Sequence, residues 1–180
     1  MMNIINAIDG FLPWVFTNIA NPVLDWFMVF FTTLGEGGVL WIVLTIVMLI
    51  TKKYRKVGII SAISLAVCFF PGNYIIKPLV GRIRPCNLYE GLRMIIETPH
   101  DFSFPSMHAA SSFSVAVVLA KNEKKFGVWA IVAAVIIALS RVYLNVHFTT
   151  DIICGAVYGS AIAILVDFVI KKTMNRRQDS

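Results

Sequence analysis

The sequence is poor in charge. Lysine, arginine, aspartate and glutamate make up 14% of its 180 residues, against 58% hydrophobic ones, and the mean hydropathy is +0.77. So few charges could not clothe a soluble surface, which excludes an ordinary globular domain and implies a polytopic membrane protein. Cysteine is scarce as well. Cys68, Cys86 and Cys154 form no pairing pattern, and two of them fall inside apolar runs, so free structural thiols are expected rather than a disulfide framework. The chain also lacks a basic opening segment and a small-residue cleavage site, which argues against a cleaved signal peptide.

What the sequence has is long uncharged runs. Val57 to Ile76 is twenty residues and Phe102 to Ala120 nineteen, close to the roughly 20 needed to cross a hydrocarbon core of about 30 Å. Gly37 to Thr51, Phe126 to Ser140 and Ile152 to Val166 are fifteen each and are completed by flanking residues, giving five predicted spans. The segment Asn3 to Gly35 is apolar apart from Asp9 and Asp25 but interrupted by Pro13, Asn18, Asn21 and Pro22. Two short interfacial helices are predicted there. The expected fold is therefore an all-α polytopic membrane bundle. Residues 1–35 are its interfacial helices, 36–172 a membrane-embedded core and 173–180 a cytoplasmic tail.

The basic residues are placed unevenly. Lys52, Lys53, Arg55 and Lys56 form one cluster, Lys121, Lys124 and Lys125 a second, and Lys171, Lys172, Arg176 and Arg177 a third. Two spans separate each cluster from the next, so all three fall on one side, which the positive-inside rule makes cytoplasmic. The net charge of +6 therefore reflects topology and points to no nucleic-acid partner. Five cations remain: Lys77, Arg82, Arg84, Arg93 and Arg141. They map to the opposite, extracytoplasmic side, where the rule disfavours them and where an anion would explain them.

Three pieces of chain converge on that side. "KPLVGRIRP", Lys77 to Pro85, follows the first long run; taken alone it reads as snorkelling toward headgroups. "PSMH", Pro105 to His108, opens a helix; alone it reads as capping, yet a helix N-terminus also suits phosphate. "SRVYLNVHFTTD", Ser140 to Asp151, sets His147 and Asp151 at i and i+4, so that on a helix the carboxylate can hold an imidazole nitrogen. A metal site is disfavoured by the surrounding cations. A cysteine-phosphatase loop is excluded because six residues, not five, separate Cys86 from Arg93. His100 belongs to none of the three pieces and reads as a loop residue.

Together the pieces resemble the three motifs of the type 2 phosphatidic acid phosphatases, or lipid phosphate phosphatases: K-x6-R-P, P-S-G-H and S-R-x5-H-x3-D. They stand here as Lys77 to Arg84-Pro85, Pro105-Ser106-Met107-His108, and Ser140-Arg141 to His147 to Asp151, with every spacing kept. The resemblance covers about residues 20 to 170, including "NPVLDWFMVFFTTLG". Met107 departs from the usual glycine; its backbone N–H remains, but its side chain adds bulk.

The resemblance implies the helical core of vanadium haloperoxidases and bacterial acid phosphatases. It implies His147 as nucleophile, Asp151 as its partner and His108 as the acid. Lys77, Arg84, Ser106, Met107 and Arg141 would hold the phosphate, with no metal or cofactor. The implied partner is a phosphorylated lipid in a bacterial plasma membrane, met on the extracytoplasmic face. Undecaprenyl diphosphate is the first choice, and phosphatidylglycerophosphate and phosphatidate are the alternatives. A non-catalytic lipid-phosphate transporter or sensor is the reading from another class.

Overall fold

The computed structural model describes residues 2–176. Arg177, expected in the third basic cluster, and the last three residues of the expected tail lie outside the described residues. The described residues contain helices and connecting turns but no strand.

Helix α1 runs Met2–Ile19 and α2 runs Pro22–Gly35. Between them Asn21 caps α2, its side chain accepting from Val23 N at 3.1 Å and Leu24 N at 3.0 Å, and Pro22 occupies the first turn, where its missing N–H costs nothing. A turn at Glu36–Gly38 then leads into α3, Val39–Ile50. Gly37 and Gly38 sit at φ +56° and +71°, a region that side chains with a Cβ rarely enter. The stretch Pro22–Ile50 is long and apolar enough to cross a membrane. The span expected from Gly37 thus begins at Pro22, because Asn21 and Pro22 start a helix rather than interrupt one.

Helix α4, Arg55–Pro71, continues through a wide π-type turn at Gly72–Ile76 into the short helices α5, Lys77–Val80, and α6, Pro85–Leu88. After a loop come α7, Met107–Asn122, α8, Lys124–Tyr143, and α9, Thr149–Arg176. Lys52–Leu88, Lys124–Tyr143 and Thr149–Thr173 are also long and apolar enough to span. The protein is a multi-pass membrane protein.

Helix α7 differs from the span expected over Phe102 to Ala120. Its 16 residues cover about 24 Å at 1.5 Å per residue, and it is buried among α4, α8 and α9. The uncharged run starts earlier than the helix because Phe102 to Ser106 is non-helical, tied by Ser103 N to Arg82 O at 2.8 Å.

Small residues let α7 take this central position. Ala109, Ala110, Ser112, Ser114 and Ala116 are buried on it, and Gly159 of α9 faces it so closely that a Cβ there would stand 2.1 Å from Ala110 O. Close backbone approach of this kind is how membrane helices gain packing without a hydrophobic driving force between them. Trp41 of α3 adds a buried hydrogen bond from Nε1 to Ser112 Oγ at 2.7 Å. The outer faces, with Val67, Val128, Val157 and Leu165 exposed, suit lipid.

By chain connection, the turn before α4, the α7–α8 junction and the end of α9 share one end of the bundle. At that end buried Asp167 gathers Lys171 at 2.9 Å and Lys121 at 3.4 Å. The start of α7 and the α8–α9 turn share the other end.

Gly159→Ala is expected to cost about 1–3 kcal/mol through overpacking, read as a lowered thermal midpoint in detergent. Gly10→Ala, with nothing within 4 Å of the added carbon, should not lower it.

Candidate active site

All three sequence pieces meet at that second end. Lys77 opens α5 directly after the π-type turn and is buried. Arg84, at the extended residue before α6, is also buried, and all three of its guanidinium nitrogens are engaged. Nε donates to Asp101 O at 2.8 Å, Nη2 to Asp101 Oδ1 at 2.6 Å, and Nη1 to Val146 O at 2.7 Å. Nη1 also lies 3.1 Å from His147 Nε2.

That last contact fixes the histidine's tautomer. A guanidinium only donates, so Nε2 of His147 must present its lone pair and Nδ1 must carry the proton. Nδ1 accordingly faces acceptors: Asp151 Oδ2 at 3.4 Å and Ser103 Oγ at 3.3 Å. Burial first, and then the Arg84 charge, hold His147 well below the usual imidazole range. Asp151 is wholly buried at the start of α9, where its Oδ2 accepts from Phe148 N at 2.9 Å and from Ser103 Oγ.

His108, in the first turn of α7, has an Nε2 with no hydrogen-bond partner among the described residues. Its nearest carboxylate oxygen is Glu36 Oε2, 3.5 Å away. Arg141 is buried near the end of α8; Nη1 donates to Thr32 Oγ1 at 2.6 Å, and Nε has no partner among the described residues. Ser106 makes no cap bond to α7, and its buried Oγ likewise has no partner among the described residues. Met107 turns its thioether onto Gly72 of the π-type turn, where a Cβ would stand 2.6 Å from Sδ. The bulk of the residue that replaces glycine is thus taken up by a glycine on a neighbouring element.

Lys77, Arg84, Arg141, Met107, His108 and His147 all line one cavity of about 1050 Å³, whereas Ser106 and Asp151 lie behind its wall. The cavity runs from these polar groups to an apolar wall made by Ile46 and Leu49 of α3 and Leu65 and Phe69 of α4. His100 stands in its loop, as expected, at the rim.

Four neighbours of this site carry no motif signal. Asp101 bridges Lys77 and Arg84. Glu36 faces His108, Ser103 reaches both His147 and Asp151, and Thr32 receives Arg141. The other two cations of that group, outside the motif positions, also find partners: Arg93 pairs with Asp25, and Arg82 pairs away from the cavity. Arg93 stands in the 89–106 loop and could have been matched to Asp25 only by knowing the fold.

Buried cations around two imidazoles, with an apolar wall leading away, make a membrane-embedded site suited to a phosphate ester. The comparisons with known proteins define the same class. The PAP2 superfamily model matches residues 55–175, and the chain belongs to that family of membrane lipid phosphatases. It is 35% identical over 144 residues to an undecaprenyl-diphosphatase of Sulfolobus acidocaldarius, covering 79% of this chain and 68% of the relative. It is 30% identical over 192 residues to a lipid A 4'-phosphatase of Bacteroides thetaiotaomicron, covering 99% and 84%. The crystal structure of a transmembrane PAP2 type phosphatidylglycerolphosphate phosphatase from Bacillus subtilis superposes with a TM-score of 0.76 at 27% identity, covering 94% of this chain and 88% of that one. The protein is a phosphatase of phosphate esters.

Asp101 supplies a pH-dependent test. Burial raises its carboxyl, but the Lys77 hydrogen bond and the Arg84 charge outweigh that and hold it at about 2, below the ordinary 3.8. A depressed carboxylate stabilises the fold fully above its unfolded value and loses that contribution as pH falls through the folded one. Asp101→Asn should therefore lower the thermal midpoint at pH 7, and the gap to the parent should close between about pH 4 and pH 2.

Proposed function

We propose that the protein removes phosphate from a lipid diphosphate or monoester through a phosphohistidine at His147, with undecaprenyl diphosphate as its substrate. The observation that carries the mechanism is the placement of the His147 ring, whose Nε2 lies 3.1 Å from an Arg84 donor while Nδ1 faces Asp151 at 3.4 Å. A neutral imidazole with a fixed tautomer is a nucleophile ready for use.

In the first step Nε2 attacks phosphorus, the bond to the leaving oxygen breaks, and His108 gives that oxygen a proton. Asp151 stabilises the charge that builds on the His147 ring. In the second step His108 takes a proton from water, the water oxygen attacks phosphorus, the P–N bond breaks and inorganic phosphate leaves. Lys77, Arg84 and Arg141, with Ser106 and the backbone N–H of Met107, hold the equatorial oxygens, where charge develops. As the phosphate binds, the Arg84 Nη1 donor now on His147 Nε2 must pass to a phosphate oxygen, which frees that lone pair to attack.

The undecaprenyl choice is supported by the Sulfolobus relative, which carries that activity in its name. The apolar wall of the cavity suits a long tail. Phosphatidylglycerophosphate and phosphatidate remain the alternative substrates, because the motifs read only the phosphate. Every motif residue falls within the membrane-embedded core, residues 36–172, and the site opens on the extracytoplasmic face of a bacterial plasma membrane.

A phosphate-release panel in detergent tests both substrate and mechanism, using undecaprenyl diphosphate, phosphatidylglycerophosphate, phosphatidate and a soluble phosphomonoester. The undecaprenyl substrate should have the highest kcat/KM; a preference for another lipid would replace it. His147→Ala should lose turnover by roughly 10,000-fold on every substrate. His108→Ala should be nearly dead on a lipid monoester, whose alkoxide leaves badly, and retain more on a diphosphate. Acid-labile label that persists in His147→Ala but vanishes in His108→Ala would reverse the two roles.

Topology has its own test. In a variant without native thiols, an impermeant reagent added to intact cells should label a cysteine introduced by Asn87→Cys and spare one introduced by Glu123→Cys. The opposite pattern would put the site on the cytoplasmic side.

A further inference from the structure

Arg82 lies in the same short segment as Lys77 and Arg84, yet it points out of the cavity. Its Nη1 donates to Asp151 Oδ1 at 2.6 Å and to Thr150 Oγ1 at 2.7 Å, and its Nη2 donates to Asp9 Oδ2 at 2.6 Å. The guanidinium lies 4.0 Å from the centroid of the Phe148 ring, within cation–π range. Asp9, on α1, is buried, and its Oδ1 accepts from both the backbone N and the Oγ1 of Thr150 at 2.8 Å each. One carboxylate of the N-terminal helix therefore grips both Arg82 and the first turn of α9.

The other end of the chain of contacts is the candidate nucleophile. Asp151 Oδ2 is committed to Phe148 N, Ser103 Oγ and His147 Nδ1, while Arg82 is the partner of Oδ1. With each oxygen tied to a different side, the carboxylate plane cannot rotate. Without Arg82, Oδ1 would be a wholly buried oxygen with no donor, and the carboxylate would turn to find one, leaving Nδ1 of His147 without a fixed acceptor. Asp9 matters because Arg82 is long and flexible. Its natural competitor for a guanidinium is a phosphate in the nearby cavity, and the Asp9 contact holds it back.

We propose that Asp9 and Arg82 are positioning residues: the α1 carboxylate holds Arg82 against the outer oxygen of Asp151, and this fixes the carboxylate on His147 Nδ1. The inference rests on the reading of His147 as nucleophile. It makes α1 part of the working enzyme, although α1 carries none of the three motifs and lies outside the residues that match the family model.

Steady-state kinetics of the full chain in detergent, with a lipid phosphate and an activated aryl phosphate, test the proposal. Arg82→Gln should lower kcat by roughly 100-fold and Asp9→Asn by roughly tenfold, the range seen when an outer partner of a site residue is lost. KM should change by less than about threefold, because the phosphate-binding cations are untouched. Arg82→Lys, which keeps charge and a donor, should recover about tenfold over Arg82→Gln.

The deciding measurement is a double-mutant cycle on the aryl phosphate. In an Asp151→Asn background Arg82→Gln and Asp9→Asn should cost nothing further, since both act through that carboxylate. Equal losses in the two backgrounds would make Arg82 and Asp9 merely structural and overturn the inference, as would parent-like kcat in both variants. A raised KM with unchanged kcat would make Arg82 a phosphate ligand and overturn it equally. If Arg82→Gln does not fold, the Asp9→Asn arm of the cycle decides alone. Turnover that survives His147→Ala would sink the underlying mechanism; loss there, with Arg82→Gln at the parent level, sinks only the inference.

Discussion

Three cations, Lys77, Arg84 and Arg141, are buried at one end of a bundle whose flanks are apolar, and most of the local architecture follows from having to satisfy them. A buried charge without partners costs several kcal/mol. Asp101 answers two of them at once, and the loop between α6 and α7 is folded so that this aspartate can reach. Arg141 is answered by Thr32 from α2. The α2 helix therefore belongs to the same charge arrangement as the motif segments, although none of its residues is titratable at that contact.

The second demand is proximity. The segments that bear His108 and Asp151 begin neighbouring helices, α7 and α9, and these are brought together where small residues face one another. Gly155 of α9 is packed so that a Cβ would stand 2.5 Å from Ser106 O, and Ser106 N donates to Asp151 O at 3.1 Å. The second and third motifs are thereby joined through backbone rather than through side chains. Such a joint holds His108 and the His147–Asp151 pair, the proposed acid and nucleophile, in register without help from ligand, which is what preorganised electrostatic catalysis requires.

Legibility in the sequence followed chemical type. Lys77, Arg84, Arg141, His108, His147 and Asp151 were readable because cations away from the three basic clusters, and paired imidazoles with a carboxylate, are improbable in apolar chain, and five of the six line the cavity. Asp101 was not, since an acidic residue in an exposed loop has an ordinary explanation and only the fold brings it to Lys77. Arg82 is a misplaced cation in the sequence with no visible task, because its partners Asp9 and Asp151 are 73 and 69 residues away. Hydropathy located the spans but not their inner or outer position. It could not tell that α7, as apolar as its neighbours, is central because its residues are small, nor that Asn21 and Pro22 open a helix.

The wide turn at Gly72–Ile76 has a consequence for reading this chain as a ruler. A turn closed by i→i+5 bonds holds one residue more than a regular one, and each residue in a helix advances direction by about 100°. Lys77 begins α5 immediately beyond that surplus residue, so the side on which its ammonium emerges depends on length as much as on identity. The first cation of the cavity is in this sense set by counting: shorten the stretch by one residue and a lysine still follows the isoleucine, but it emerges facing a different neighbour.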